Sequence, residues 1–441
     1  MAPPTTDRYI WPLISKDQVA KDGAMVLSHG EGSRVTDASG TEYLDLSSGI
    51  TRASALGYGN TEIADAVHAQ LERLHYAGTC EFQADVLFEL AAKLAELTPG
   101  SLGASYFTES GTAANEAAFK LARHYHRANG KPRAYKVISR WNAYHGAIGT
   151  PMAASDWLGV RPPSEPGTPG VSLVAAPTRY RSPFGARGLE DSTLYLEMLE
   201  QQILKEDPEL VSVFIAEPVM QANGVQVPPA DYFPGVREIC DRHGVLFLAD
   251  EVITGFGRTG EWFAIDHWGV EPDMITMAKA LTAGYMPLGA VIVRDDIWSD
   301  IDVFPDVHTF GGHAAAGVAA TTAIGIYERE GLVERARESG ARLLDLMAGL
   351  ERHEIVGEVR GLGLWTAVDF TSDPGTAVPL EVDEVRQILV RARRLGLIVT
   401  QNGGAIEFAP RLDVPEAELE EGVAILDRAI DEFSAERIDR S

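Results

Sequence analysis

Two short apolar runs near the middle of the chain each stop on residues able to do chemistry. Residues 245–249 (VLFLA) run into Asp250 and Glu251, and residues 274–278 (MITMA) run into Lys279. Runs of this length and composition read as strands buried on both faces. In open parallel sheets, ligands bind just outside the carboxyl ends of the strands, so the acid and the amine would face one crevice. An amine there can form a Schiff base with a carbonyl. An acid beside it can keep a ring nitrogen protonated, and the two together are what pyridoxal phosphate requires of a protein. Lysines and acids that follow strands are also common as solvated loop residues, so the pair does not decide the matter alone.

The residues around the pair carry more. DEVITGFGRTG at 250–260, then Pro272-Asp273, Ala278-Lys279 and GYMPLGA at 284–290, resemble the signature of class III, fold type I pyridoxal-phosphate aminotransferases, closest to the omega-amine:pyruvate transaminase branch. The resemblance implies that Asp250 pairs with the pyridine nitrogen, Val252 packs on one ring face and Lys279 holds the cofactor as an aldimine. A rival reading comes from Gly255, Gly257 and Gly260, which satisfy the G-x-G-x-x-G of nicotinamide-dependent oxidoreductases directly after a strand. That fingerprint needs a helix opening inside the motif and an acid at the end of the next strand. Residues 261–268 lack a helical apolar stripe, Pro272 breaks the stretch beyond them, and Asp273 precedes its strand.

The rest of the chain must position these groups. At 441 residues, 45% hydrophobic and 23% charged, it has the length for two or three domains and a large core. A net charge of -26 opposes nucleic acid or anionic membrane as partners, since both call for a cationic face. Cys80 and Cys240 are too few for a disulfide framework or a zinc site, so no metal is expected. No stretch offers 18 uninterrupted apolar residues and residues 1–13 do not read as a leader, which together place the protein in the cytoplasm.

In chain order, Ala38-Ser39-Gly40 marks a hairpin turn in an alternating stretch, and residues 61–98 show helical spacing stopped by Pro99-Gly100. Residues 105–108 form a strand that runs through Glu109 into Ser110-Gly111-Thr112, where a helix begins on Ala114, Ala117, Ala118, Leu121 and Tyr125. Free backbone N–H groups, the positive dipole end and two hydroxyls suit an anion there, although plain N-capping uses the same residues. Residues 135–139 form the next strand, ending before Tyr144-His145-Gly146, and residues 211–216 another, ending at Glu217. RPPSEPGTPG at 161–170 reads as a rigid surface loop. The middle of the chain alternates strands with helices and predicts an α/β domain with a mostly parallel sheet; the ends predict an α+β lobe.

The resemblance covers nearly the whole chain and implies a small domain built from 1–60 and 329–441 around a large cofactor-binding domain, 61–328. It places the cofactor phosphate on Ser110, Gly111 and Thr112, Tyr144 on the pyridine ring, and Glu217 near the phenolic oxygen. Thr309 would reach the phosphate of a partner subunit, in a homodimer or dimer of dimers with its active sites at the interface. The implied reaction passes an amino group from an amine to a 2-oxo acid, pyruvate first, with an aminomutase or racemase as the alternative on the same scaffold. Trp11 would approach the substrate. Relatives commonly carry a tryptophan before Gly-Tyr-Gly and an arginine in the C-terminal lobe; aligned by neighbouring motifs, Arg52 and Thr400 stand there. Arg52 or Arg411 is therefore the expected partner of the acceptor carboxylate, a guanidinium fork being the usual solution, unless both face solvent.

Overall fold

The computed structural model describes residues 8–23, 25–157, 162, 164–188 and 191–438. Among them seven strands build the central sheet, in the spatial order Leu102–Thr108, Gly289–Arg294, Met274–Met277, Leu246–Asp250, Val211–Ala216, Lys136–Arg140 and Val171–Val174. Only Gly289–Arg294 runs antiparallel to its neighbours. Val211–Ala216, Leu246–Asp250 and Met274–Met277 are buried at every residue, which is why the sequence shows them as continuous apolar runs and not as alternations. Parallel order brings the carboxyl ends of these strands to one edge, so Ser110, Glu217, Asp250 and Lys279 emerge side by side. The mostly parallel sheet of a fold type I transaminase is the architecture expected.

Two smaller four-stranded sheets complete the strands, one mixed and one antiparallel. In one, Leu397–Ile398 pairs in parallel with Glu42–Asp45, so both chain ends share a sheet with Leu27–Glu31 and Arg34–Asp37. The other orders Val356–Leu362, Trp365–Phe370, Ala405–Phe408 and Thr400–Asn402. The expected turn at 38–40 joins Arg34–Asp37 to Glu42–Asp45, with Asp37 Oδ1 accepting from the N–H groups of Ser39 and Thr41. The single helical stretch expected over 61–98 is two helices, Thr61–Arg73 and Asp85–Leu97. The segment between them, with Gly78 at a φ of 110°, offers no helical apolar stripe to continue the first. Part of the proline-rich stretch, residues 161 and 163, lies outside the described residues. Among the described residues no helix is long and apolar enough to cross a membrane.

The small lobe is keyed to the site loop by stacked backbones. A Cβ on Gly340, in helix Leu332–Ala348, would lie 2.1 Å from the carbonyl carbon of Gly363, and one on Gly363 would lie 2.3 Å from that of Thr259. Neither neighbour is the end of a flexible side chain, so the backbone itself would have to shift. Gly340→Ala should therefore lower the unfolding temperature, with a cost of about 1–3 kcal/mol typical of overpacking; a thermal melt unchanged from the parent would contradict this packing.

Candidate active site

Ser110, Gly111, Thr112, Tyr144, Glu217, Asp250, Val252 and Lys279 line one cavity of about 140 Å³ at the carboxyl edge of the sheet. A larger cavity of about 350 Å³ lies between Trp141, Arg181 and Asp369. Each guanidinium nitrogen of Arg181 is already bonded, to Asp369 Oδ1 and to the carbonyls of Ala377 and Phe370, while Asp369 Oδ2 accepts from Arg360. The smaller cavity gathers the lysine and two acids that end the strands of the sheet.

Asp250 is only 4% exposed, so its charge must be met by donors. Its Oδ2 accepts from Asn115 Nδ2 at 2.8 Å and pairs with His145 Nδ1 at 2.7 Å; its Oδ1 accepts from the Val252 N–H at 3.1 Å. A hydrogen bond from His145 to this carboxylate oxygen requires the proton on Nδ1. Asn115 is itself fixed, since its Oδ1 accepts from Thr276 Oγ1 at 2.7 Å and its Nδ2 also donates to the His145 carbonyl at 2.8 Å. His145 Nε2 is buried without a protein partner. Asn115 and His145 were not assigned by sequence reasoning. The available signal was a polar residue among the buried alanines of helix Gly111–Ala128, and a histidine beside the assigned Tyr144.

Lys279 follows Met274–Met277 with a left-handed φ of 46°, a conformation that costs a non-glycine residue and is held only where the surroundings demand it. Desolvation, and next the positive charge of Arg52, bring its ammonium from the ordinary lysine range down to about 7; Asp250, Glu217 and Glu407 act against this and lose. Near neutral pH much of this amine is therefore free base and nucleophilic. Glu217 is buried, and desolvation pushes its carboxyl above the usual range although Oε1 accepts from the Tyr144 N–H and Oε2 from the Gln221 N–H, each at 3.2 Å.

At the opposite end, Ser110 is the N-cap of helix Gly111–Ala128, with its Oγ accepting from the Ala113 N–H at 3.2 Å. Capping thus uses the serine hydroxyl, while Gly111 and Thr112 open the helix toward the cavity. Gly111 is required by contact: a Cβ there would meet both methyls of Val252 at 2.8 Å. Tyr144 packs edge-on against Trp157, with centroids 5.4 Å apart, and burial raises its phenol pKa, helped by the charge of Asp250.

Thr309, Trp11, Arg52 and Arg411 do not line the cavity. Thr309 is exposed, its carbonyl accepting from Tyr76 Oη at 3.0 Å. Trp11 packs against Tyr9 at 5.3 Å. Neither arginine is given over to solvent: Arg411 forks onto Asp413, and Arg52, 3% exposed, pairs with buried Glu407.

The family described as Aminotransferase class-III matches residues 17–430. The chain is 32% identical over 437 residues to the putrescine–pyruvate aminotransferase of Pseudomonas aeruginosa, covering 97% of this chain and 95% of that one. Among solved structures it is similar to an (S)-enantioselective omega-transaminase from Thermomicrobium roseum, with a TM-score of 0.92, 37% identity and 96% of each chain covered. It is equally similar in fold to the omega-transaminase of Pseudomonas jessenii in complex with PMP, with a TM-score of 0.92, 31% identity, and 97% and 96% covered.

The depressed ammonium gives a direct expectation for the protein without cofactor. Labelling of Lys279 by a neutral amine-reactive reagent, followed by peptide mass spectrometry, should rise with pH around a midpoint near 7, because protonation below it removes the nucleophile. A midpoint in the ordinary lysine range would refute the electrostatic account.

Proposed function

The chain belongs to the class III aminotransferases, and from that premise we propose that it moves an amino group from an amine or omega-amino compound to a 2-oxo acid, pyruvate first, using pyridoxal 5'-phosphate. The observation that carries this reading is one cavity lined by both a lysine and a buried, donor-locked carboxylate. The donor set fits the cofactor group by group. Lys279 suits its aldehyde, Asp250 a protonated ring nitrogen, and the start of helix Gly111–Ala128 with Thr112 its phosphate, while Gly111 keeps Val252 seated against the cavity. Tyr144 and Val252 supply the two walls for a flat ring, and Glu217 stands on the substrate side.

When bound, pyridoxal phosphate supplies an electron sink that makes the donor's Cα–H acidic. This chain's residues do the rest. Nζ of Lys279 would take the donor's Cα proton as general base and return it as general acid, which its depressed pKa allows near neutral pH. Asp250, held in place by Asn115, His145 and the Val252 N–H, is positioned to keep a proton on the ring nitrogen. The second half runs the same proton in reverse on the 2-oxo acid.

We also assign the chain to a homodimer, with Thr309 completing the partner's phosphate site. Thr309 stands in sequence between exposed Val307 and Phe310, and its carbonyl accepts from the hydroxyl of exposed Tyr76, whose ring packs against His313. Surfaces of this kind are covered by protein partners. A cytoplasmic location accords with the two unpaired cysteines.

With a panel of amine donors, alanine should form from pyruvate, measured by chromatography, and Lys279→Ala should abolish it while leaving the thermal melt in place. Sustained turnover by the purified variant would sink the role of Lys279. A product formed without any 2-oxo acid would instead mark a mutase or racemase. The dimer assignment is checked by complementation: mixing Lys279→Ala with Thr309→Ala chains should create hybrids with one intact site each. Hybrids that hold cofactor no better than the Thr309→Ala parent would rule out a contact across the interface.

A further inference from the structure

Residues 304–312, which include Thr309, pack along the edge strand of the central sheet, Leu102–Thr108. The backbone bonds of this segment are local: the Asp306 N–H donates to the Phe304 carbonyl at 2.9 Å and the Gly311 N–H to the His308 carbonyl at 3.0 Å. Its contact with the strand is close, since a Cβ on Gly311 would lie 2.6 Å from the Phe107 carbonyl oxygen. A segment bonded mainly to itself can shift as a unit unless side chains pin it. Tyr76 supplies one pin by donating to the Thr309 carbonyl. His308 is placed to supply another.

The His308 ring stands between two carboxylates from different segments. Its Nδ1 lies 3.0 Å from Glu109 Oε2, and its Nε2 lies 3.6 Å from Asp306 Oδ2. Both oxygens are buried atoms satisfied by no hydrogen bond, so what ties them to the ring is charge. Asp306 Oδ1 is already taken by Lys120 Nζ at 2.8 Å. Tyr106 faces the ring edge-on at 6.3 Å; burial, then the charges of Asp306, Glu109 and Cys80, raise its phenol pKa and keep it neutral. His124 packs on Phe304, with centroids 6.0 Å apart. Glu109 immediately precedes Ser110, the cap of helix Gly111–Ala128, whose carbonyl accepts from Thr108 Oγ1 at 3.0 Å. His308 therefore joins the segment that opens this helix to the segment that carries Thr309.

We propose that His308 is a positioning residue for the cofactor phosphate: as an imidazolium it draws Glu109 and Asp306 together, and so keeps Thr309 in register with the start of helix Gly111–Ala128. The inference rests on the reading above, in which the chain binds pyridoxal phosphate as a homodimer and Thr309 serves the partner's site. Each such clamp then lies between a protomer's own phosphate cradle and the cap it lends its partner. The sign follows from the charges. A protonated ring attracts both acids. A neutral ring attracts neither as a charge, can turn an N–H toward only one of them, and leaves buried carboxylate oxygens short of a cation. Histidine ordinarily changes charge between about pH 5 and 8, so the cofactor should be held more firmly below that range than above it.

The test follows release of pyridoxal phosphate from diluted holoenzyme, by loss of its absorbance from the protein, at about pH 5.5 and about pH 8.5. Lys279 and the phosphate titrate in every variant alike, so the quantity read is the release rate of a variant divided by that of the parent. For His308→Gln this ratio should be about fivefold or more at the lower pH and fall toward about one at the higher. Glu109→Gln, on a half-exposed side chain, removes one of the two acids and should show the same dependence in milder form. A ratio equal at both pH values would mean that His308 only packs the loop, and would overturn the proposal; so would parent-like release from both variants. If His308→Gln does not fold, Glu109→Gln decides by the same ratio. The underlying reading fails in its own ways, each of which brings this inference down with it: a parent that takes up no pyridoxal phosphate removes the cofactor, and Thr309→Ala releasing it at the parent rate removes the threonine's contact. Faster release from Thr309→Ala beside a flat His308→Gln ratio overturns the role of His308 alone.

Discussion

Asp250 ends a strand whose other residues are apolar, at a depth where an ionised carboxylate without donors would be too costly to keep. Its donors come from three places: a helix that starts after the first strand of the sheet, the loop after Lys136–Arg140, and the backbone immediately beyond Asp250 itself. Satisfying this one group therefore fixes the order of the strands around it. Asn115 reaches Asp250 only if helix Gly111–Ala128 crosses the sheet face over Leu246–Asp250 and Met274–Met277, and its bond from Thr276 holds it to that crossing. The same crossing delivers the start of that helix to the far end of the cavity.

The lysine poses the opposite problem. It has three carboxylates nearby to favour its charged form, yet to act as a nucleophile it must be able to lose its proton. Desolvation decides the balance and Arg52 reinforces it. A buried cation is thus useful in two directions: it offsets Glu407, and it discourages a second positive charge on Lys279. Arg258, deeper and without an acidic partner, is held by the carbonyls of Leu364 and Pro410 and by Ser48 Oγ, with burial lowering its pKa to about 10. The loop bearing the glycine-rich motif is therefore tied through Arg258 to the main chain at Leu364 and Pro410 and to the turn at 48–52.

Much of this was legible in the chain because burial on both faces leaves an unbroken apolar run, and such runs point at the residues that end them. Asp250, Glu217 and Lys279 stand out for that reason, and Ser110 to Thr112 because a helix start is marked by small hydroxylic residues and glycine. The glycines at 255, 257 and 260 fit two cofactors by spacing; beyond them the chain forms a short 3₁₀ turn, Ala264–Trp268, and not the helix a dinucleotide needs. What pairing alone decides was not legible. Asn115 and His145 lie 135 and 105 residues from Asp250, and Arg52 lies 355 from Glu407, so no local pattern links them. The alternative in which Arg52 faces water rests on what most arginines do, and it fails because a single distant acid reverses the balance.

Strain has the same geography. Of the eleven non-glycine residues with left-handed backbones among those described, seven (Ser48, Ile50, Arg52, Asn142, Phe256, Lys279 and Ala283) lie on the loops around Arg52, Tyr144, the glycine-rich motif and Lys279; the others are Leu13, Asp207, Asn223 and Val225. Sheet interiors cannot store such strain, because slipping one residue would turn an apolar face out and lose the ladder. Loops can, provided enough hydrogen bonds outweigh it, and here the bonds are made by buried groups that have nowhere else to find partners: Asp45 under the turn at 48–52, and Glu251 under the loop that leaves its own strand, accepting from Thr254 Oγ1 and the Ala264 and Ile265 N–H groups. Burial raises the pKa of Glu251 to about 7, so this support is itself a carboxyl poised near neutrality. The rigid sheet and its buried acids together hold the loops in conformations their residues would not choose, and the positions of Lys279 and Arg52 are the outcome.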